Sequence, residues 1–376
     1  MTYRFIADKS SLRHVSSKLR AERRIALDCE AAGFHRYTDR LCLVQLSTPR
    51  DTYLFDPLET DPAPALKPIL EDPQVQVVMH GADFDLRLLR RDLGIAVRGL
   101  FDTQVAATLL GAQAVGLASL LDDRMNVVLS KKHQRADWAQ RPLPDGFLEY
   151  AADDTRHLLD LADILAGELG ERERRGWAEE EFRYLETIEW IEEPQDPVTR
   201  FKVARKMTPR EVTSLRAALE WRDRIAQDRD RAPFRVAGDQ ILVEIVAHRP
   251  RSVQELSDMK GMSNRLAREH GQDLLEALRR VDSLQEADLQ PYPRGPRNGS
   301  ARFTPEEDAA ADRLRALRTD RAQELGLDRG VLLSNTQINE IVRAGPRSEG
   351  ALRELPSIRG WQADLLGAEI LGILEG

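Results

Sequence analysis

The chain has 376 residues, 41% of them apolar, a formal net charge of -8 and two cysteines. That length predicts two to three domains, and the apolar content excludes a disordered or fibrous chain. Cys29 and Cys42 are too few for a disulfide framework or a four-ligand zinc site. No apolar run is long enough for a membrane span, and the N-terminal stretch lacks the apolar core of a signal peptide. The expected setting is therefore the cytoplasm, with no membrane and no obligate protein partner. The acidity is uneven: residues 1–195 carry 25 Lys+Arg against 34 Asp+Glu, residues 196–285 carry 18 against 14, and residues 286–376 carry 12 against 15. An acidic total thus leaves room for a locally basic module that meets a polyanion.

In chain order, Arg24–Glu30, Leu41–Ser47 and Thr52–Phe55 read as strands. They are too close together for crossover helices, which predicts an antiparallel meander. Val75–Met79 reads as a further strand, running through His80-Gly81 into a helix that starts near Asp83. Helical periodicity follows over Thr103–Leu110, Leu117–Leu121 and Phe147–Leu165, and the charged stretch Glu168–Glu193 predicts one long amphipathic helix. On that helix Glu179-Glu180-Glu181 reads as a solvated face. The breaker Pro194-Gln195-Asp196-Pro197 closes an α/β domain over 1–195.

Beyond it only helices are expected. A first helical domain spans 196–285, a Pro/Gly/Arg-rich linker 286–303, and a second helical domain 304–376. The two helical segments read as distant repeats. Thr208-Pro209-Arg210-Glu211 and Thr304-Pro305-Glu306-Glu307 both carry a capping box with proline at the first helical position. Each is followed by a long helix, a loop, and then Gln240–Val246 or Gln337–Val342. Pro250-Arg251-Ser252 or Pro346-Arg347-Ser348 comes next.

Four acids carry the chemistry. Asp28 and Glu30 alternate on an apolar strand, so both side chains leave by one face. Asp85 follows a buried-looking strand at a helix start, where Asp83 is the better candidate for a cap. Asp154 stands four residues after Tyr150, on the same face of a helix, while the neighbouring Asp153 turns about 100° away. Carboxylates gathered by one fold repel one another unless a cation binds, and oxygen ligands suit Mg²⁺ or Mn²⁺. Two such ions stabilise the attacking and leaving oxygens of a phosphodiester hydrolysis. His80 is expected to approach the site without ligating. The loop run Lys131-Lys132-His133-Gln134-Arg135 offers Lys131, Lys132 and Arg135 as phosphate contacts.

Asp28-Cys29-Glu30, His80-Gly81-Ala82-Asp83-Phe84-Asp85 and Tyr150…Asp154 resemble the three exonuclease motifs of the DEDD superfamily in its tyrosine-bearing branch. Asp137-Trp138-Ala139-Gln140-Arg141-Pro142-Leu143 is similar to the ribonuclease D family, and the two helical repeats resemble HRDC domains. The resemblance spans nearly the whole chain. It implies an α/β ribonuclease-H-like exonuclease domain, a mixed sheet flanked by helices, followed by two all-α HRDC-like domains. It further implies that Asp28, Glu30, Asp85 and Asp154 hold two divalent cations, Mg²⁺ or Mn²⁺, while Tyr150 orients the attacking water. The substrate class implied is the 3′ ends of structured RNA such as tRNA precursors, shortened by release of 5′-mononucleotides. Cys29 stands where the family often has Thr. DNA 3′ ends are the alternative substrate, and a tether without catalytic activity is opposed by the intact acids.

Overall fold

The computed structural model describes residues 3–130, 132–191, 196–293 and 303–375. The chain divides into two compact units, one formed by Met1–Glu30, Leu41–Trp190 and Ala301–Gly376, the other by Ala31–Arg40 and Ile191–Ser300.

In the first unit, β1 (Tyr3–Ile6) and α1 (Lys9–Leu19) precede β2 (Arg24–Ala31), β3 (Leu41–Ser47) and β4 (Thr52–Phe55). Then come α2 (Ala63–Leu70), β5 (Gln76–Met79), α3 (Asp83–Leu93), β6 (Leu100–Asp102), α4 (Thr103–Leu109) and α5 (Leu117–Met125). The six strands form one sheet in the order β1-β4-β3-β2-β5-β6. β3 and β4 are antiparallel, whereas β1–β4, β2–β5 and β5–β6 run parallel. β3 and β4 are buried along their whole length and read as continuous apolar runs, as strands covered on both faces should. β2 lies inside the sheet and delivers its carboxylates at the same end at which parallel β5 turns into α3. β1 and β6 escape the sequence pattern because each is a strand of only three or four residues at a sheet edge.

The expected helix over Phe147–Leu165 is two helices, α6 (Asp145–Arg156) and α7 (Leu158–Glu171), divided at His157, whose φ of -107° and ψ of 0° leave the helical region. The expected long helix to Glu193 is corrected likewise. Glu173 takes a left-handed φ of 59°, and the helix that follows, α8 (Arg175–Leu185), ends well before Trp190. Beyond α8 the chain lies against α3: the Arg87 and Arg90 guanidiniums donate to the Glu189 and Ile188 carbonyls, and Arg91 sits 4.2 Å from the Trp190 ring centroid. The bulky residues 188 and 190 had mimicked helical spacing without belonging to a helix.

The second unit is helical: α9 (Pro209–Asp228), α10 (Pro233–Val236), α11 (Asp239–His248), α12 (Val253–Asp258) and α13 (Asn264–Ser283). Its core gathers Val212, Leu215, Trp221, Leu242, Ile245 and Leu274, and the Trp221 indole donates to the His270 carbonyl at 2.9 Å. The expected linker from 286 is instead held to this unit as far as Tyr292: Arg216 donates to the Gln290 and Pro291 carbonyls, and Tyr292 to that of Thr199. Residues 294–302 of that linker, and Glu192, Glu193 and Pro194 at the first boundary, lie outside the described residues. The segment 31–40, expected with the α/β domain, belongs to this helical unit. The Tyr37 hydroxyl donates to Asp223 at 2.9 Å and the Ala232 amide to the His35 carbonyl at 3.1 Å.

Within the first unit the second helical segment forms α14 (Pro305–Leu325), α15 (Arg329–Leu332), α16 (Asn335–Ala344), α17 (Glu349–Arg353) and α18 (Gly360–Glu375). The repeat relation is exact in kind: α9–α13 and α14–α18 match element for element. Both capping boxes form, at Thr208 with Glu211 and at Thr304 with Glu307. A buried arginine also recurs. Arg222 donates to the Ala237 carbonyl and Asp239, and Arg318 to the Leu333 carbonyl and Asn335, so each ties its long helix to the start of the third helix.

The acidic face of α8 is not simply solvated. Glu180 accepts from the Gly360 and Trp361 amides at 2.5 and 2.9 Å, capping α18, and Glu181 accepts from the Trp361 indole at 2.9 Å and from Arg359 at 3.2 Å. Trp177 stacks on Trp361 with centroids 4.6 Å apart. Glu180→Ala removes a helix cap worth about 1 kcal/mol. Amide exchange at Gly360 and Trp361 should quicken about fivefold, while exchange in α9–α13 stays as it was.

Candidate active site

Strand β2 enters the sheet fully covered, with Ile25 to Leu27 all buried, and alternates only from Leu27 to Glu30: Cys29 is buried, whereas Asp28 and Glu30 are half-buried and line a cleft. Across it, Tyr150 and Asp154 project from α6. That helix is fastened to the sheet beside them, because the buried hydroxyls of Thr155 and Ser47 hydrogen-bond at 2.7 Å. Asp28, Glu30 and Asp154 each present a carboxylate oxygen, all within 4.8 Å of one another. The cleft has a volume of about 450 Å³, and His80, Gln104, Ser119, Ser130 and Gln134 complete its walls.

Asp85 is placed differently from the other three. It is buried in the first turn of α3 and stands outside the 4.8 Å group, close enough to Asp28 for the two charges to repel. Asp83 does not cap its helix; it is exposed and pairs with Arg87 one turn on, at 3.0 Å. The capping work falls to Asp102, a residue outside the motifs. Buried at the end of β6, it accepts from the amides of Gln104 and Val105 at the start of α4 and from those of Gly81 and Ala82 in the turn before α3. One carboxylate therefore sets both the turn that launches Asp85 and the helix that places Gln104. An Asp-Thr pair ahead of a helical run is a recognisable cap signature and could have been found in advance.

Burial and mutual repulsion raise every carboxyl in the cluster above its ordinary value. Asp28 is pushed up to about 6, chiefly by burial, against the opposing hydrogen bond from the Cys29 amide. Asp154 is pushed up to about 8 by burial and by Asp28, against the stabilising hydrogen bond from Tyr150. Glu30 rises well above the usual range through burial, then Asp28, Asp154 and Asp85; Asp85 rises through burial, then Asp28 and Asp102. The Tyr150 phenol is pushed far up by burial and by Asp154, Glu30 and Asp28, so it keeps its proton. The Cys29 thiol is raised by burial and by the surrounding acids, which makes it a poor nucleophile. Burial lowers His80, and its Nδ1 is 2.9 Å from the Thr103 hydroxyl, so it stands as a neutral wall residue. Asp153 pairs with Arg156 at 2.5 Å, off the cleft.

A hard divalent cation fits this donor set. Three carboxylate oxygens converge, burial disfavours leaving them charged and bare, and no cysteine or histidine belongs to the group.

The loop before α6 is locked by Arg141. Its guanidinium grips the fully buried Asp56 with bonds of 2.6 and 2.7 Å and donates to the Cys42 carbonyl at 2.9 Å. This fixes the buried Trp138, whose ring contacts Phe147 and Tyr150 at centroid distances of 5.3 and 6.1 Å. His133 meets Tyr150 edge-on at 6.0 Å. Lys132 and Arg135 are exposed and line a surface hollow with His133 and Gln134, and Gln134 also lines the cleft. Lys131 lies outside the described residues.

Comparison with known proteins identifies the family and the fold. A family model described as 3′-5′ exonuclease matches residues 3–170, and one described as HRDC domain matches residues 213–278 and 307–374. Ribonuclease D of Escherichia coli (strain K12) is 30% identical over 384 residues, covering 100% of this chain and 99% of that protein. Ribonuclease D of Xanthomonas oryzae pv. oryzae is 30% identical, with 96% of each covered. The crystal structure of Escherichia coli RNase D superposes with a TM-score of 0.71 at 28% identity, covering 100% of this chain and 99% of that one. The catalytic core of RRP6 from Trypanosoma brucei superposes at 0.67 with 27% identity, covering 75% and 81%. The mixed-sheet exonuclease fold followed by helical HRDC segments is therefore the architecture of this chain. Among the described residues no helix is long and apolar enough to cross a membrane.

The raised carboxyls set a pH dependence. The unfolded chain deprotonates these acids near 4, whereas folded Asp28 and Asp154 hold their protons to about 6 and about 8. The folded state thus binds more protons in between, and without divalent ion its stability should fall as pH rises through that window. In chelator, Asp154→Asn should melt higher than the parent chain at pH 8.5, with the difference closing towards pH 4. Differential scanning fluorimetry across pH checks both, and an unchanged melting difference at the two ends would contradict the assignment.

Proposed function

The chain belongs to the ribonuclease D family, and from that premise we propose that it trims the 3′ ends of structured RNAs, tRNA precursors among them, by metal-assisted hydrolysis in the cytoplasm. The observation that carries the reading is the convergence of Asp28, Glu30 and Asp154 within 4.8 Å beside a protonated Tyr150. The preference for structured RNA leans on the Escherichia coli relative, described as an exoribonuclease involved in structured RNA processing.

Asp28, Glu30 and Asp154, with Asp85 behind Asp28, would hold two divalent cations, Mg²⁺ or Mn²⁺. Bound there, the ions supply charge stabilisation to the attacking and leaving oxygens of the displacement. Asp28 and Glu30 come from an interior strand and Asp154 from a helix bolted to the sheet, so little reorganisation is needed when a phosphodiester enters. Tyr150 contributes a fixed O–H. A phenol held protonated donates a hydrogen bond and can orient a water, but it does not serve as a base at neutral pH. The uncapped N-terminus of α5, with Gly116 to Ser119 on the cleft wall, turns backbone amide dipoles towards an incoming phosphate. Lys132 and Arg135, on the adjoining hollow, are assigned to the RNA backbone beyond the 3′ terminus. For the domains, we take 1–195 as the nuclease and 196–285 and 304–376 as the HRDC-like modules.

Asp28→Asn or Asp154→Asn should lower the release of 5′-mononucleotides from a 3′-extended tRNA precursor by roughly 10³-fold, the loss of several kcal/mol of charge stabilisation. Tyr150→Phe should lower kcat by about 10- to 100-fold, the usual effect of losing a group that orients a metal-site ligand, with the divalent-ion dependence of the rate unchanged. Digestion of matched RNA and DNA strands with each protein checks these outcomes. Full turnover in either Asn variant refutes the site, and equal degradation of DNA refutes the choice of RNA, since the 2′-hydroxyl is what distinguishes them.

A further inference from the structure

Large apolar side chains left in solvent need a reason, and two of them in this chain meet. Phe34 is 40% exposed and Phe234 is 49% exposed, although their ring centroids are only 5.4 Å apart. Both belong to the helical unit formed by residues 31–40 and 191–300. The Arg235 guanidinium lies 4.8 Å from the Phe34 centroid and 5.9 Å from that of Phe234, and its Nε donates to the Phe34 carbonyl at 2.7 Å. The result is two tilted aromatic faces with a cation anchored against them.

The pair is held rigidly. The His35 and Arg36 amides both bond the Ala32 carbonyl, at 2.8 and 2.9 Å, and the Gly33 amide donates to Asp39 at 2.7 Å. Arg36 pairs with Asp230, and Tyr37 is tied to Asp223 and Asp230. On the other side Pro233 starts α10, and the Ala232 amide is bonded to the His35 carbonyl. Rings so constrained do not fold away into the core. Together they leave roughly 150–200 Å² of aromatic surface open, far short of the ~800 Å² that a protein partner covers on each side.

We propose that Phe34 and Phe234, backed by Arg235, form a stacking platform for an unpaired nucleobase of the RNA strand, upstream of the 3′ nucleotide that is cleaved. A ring pair with an adjacent guanidinium is the chemistry that captures single-stranded bases without regard to sequence, because every base has a π-face. Phe34 follows Glu30 by four residues in the chain, so at 3.8 Å per residue the Cα atoms of the two are no more than about 15 Å apart, and the platform starts on the segment that leaves the acidic strand. This rests on the exoribonuclease reading. It adds to it a grip on single-stranded bases that would select substrates with a few unpaired 3′ nucleotides.

The test compares the full-length chain with Phe34→Leu, Phe234→Leu, the double variant, and Phe234→Tyr, which retains the ring. The probes are a 12-nucleotide and a 3-nucleotide oligoadenylate. Fluorescence anisotropy in EDTA, where nothing is cleaved, should show the double variant binding the 12-mer roughly 5- to 100-fold more weakly. The slope of log affinity against log salt should not change, since no phosphate contact is lost. The ratio of kcat/KM for the 12-mer to that for the 3-mer should fall by a similar factor, and Phe234→Tyr should hold near the parent. Parent-like 12-mer affinity in the double variant, an unchanged ratio, or a flattened salt slope overturns the platform. A parent chain that binds the 12-mer but releases no nucleotide overturns the exoribonuclease reading instead, and the anisotropy comparison then decides the platform by itself.

Discussion

Carboxylates that repel one another are the constraint around which this protein is organised. Asp28, Glu30 and Asp154 bring oxygens within 4.8 Å, and the buried Asp85 adds its charge near Asp28. In water such a group would spread apart. Here it cannot, because two of its members sit on an interior strand of a six-stranded sheet and the third on a helix hydrogen-bonded to that sheet. The strain shows in the raised proton affinities of all four acids and of Tyr150. A divalent cation bound among these oxygens would relieve it.

Much of the surrounding structure resists the repulsion. Asp102 spends its oxygens on four amides and so couples the turn before α3 to the start of α4. Arg141 clasps Asp56 in a bidentate pair and reaches the β3 backbone, which pins the loop that carries Trp138 against Tyr150. Both are charged groups taken out of water, tolerable because each finds a full set of partners. Neither lines the cleft, yet Asp102 fixes the turn that leads into Asp85 and Arg141 the loop packed on Tyr150.

The two helical repeats show one design put to separate uses. They share capping boxes and a buried arginine that ties the first helix to the third, so each is stable for the same local reasons. Their surfaces then diverge. In the second repeat, Trp361 and the start of α18 are taken up by Trp177, Glu180 and Glu181 of α8. In the first, Phe234 meets Phe34 with the half-buried Arg235 against both, and the two phenylalanines remain open to solvent. A repeat that has given its polar and aromatic groups to intramolecular packing has fewer left for a ligand.

The sequence by itself determined which acids share a face and the internal symmetry. Asp28 and Glu30 share a face because a strand has period two, Tyr150 and Asp154 because a helix has a period near four, and Thr-Pro-x-Glu starts a helix at both places where it stands in this chain. These are local rules, readable one segment at a time. Tertiary structure alone decided which acids converge and which stands back, since Asp85 and Asp154 come from elements whose distance depends on the sheet between them. It also decided that Asp102 reaches back to the Gly81 and Ala82 amides, that the acidic face of α8 meets Trp361, and that Phe34 leaves its own strand's domain to join a helical unit. Each of these rests on groups far apart in the chain, and a side chain's partner across such a gap is set by packing, not by its neighbours in sequence.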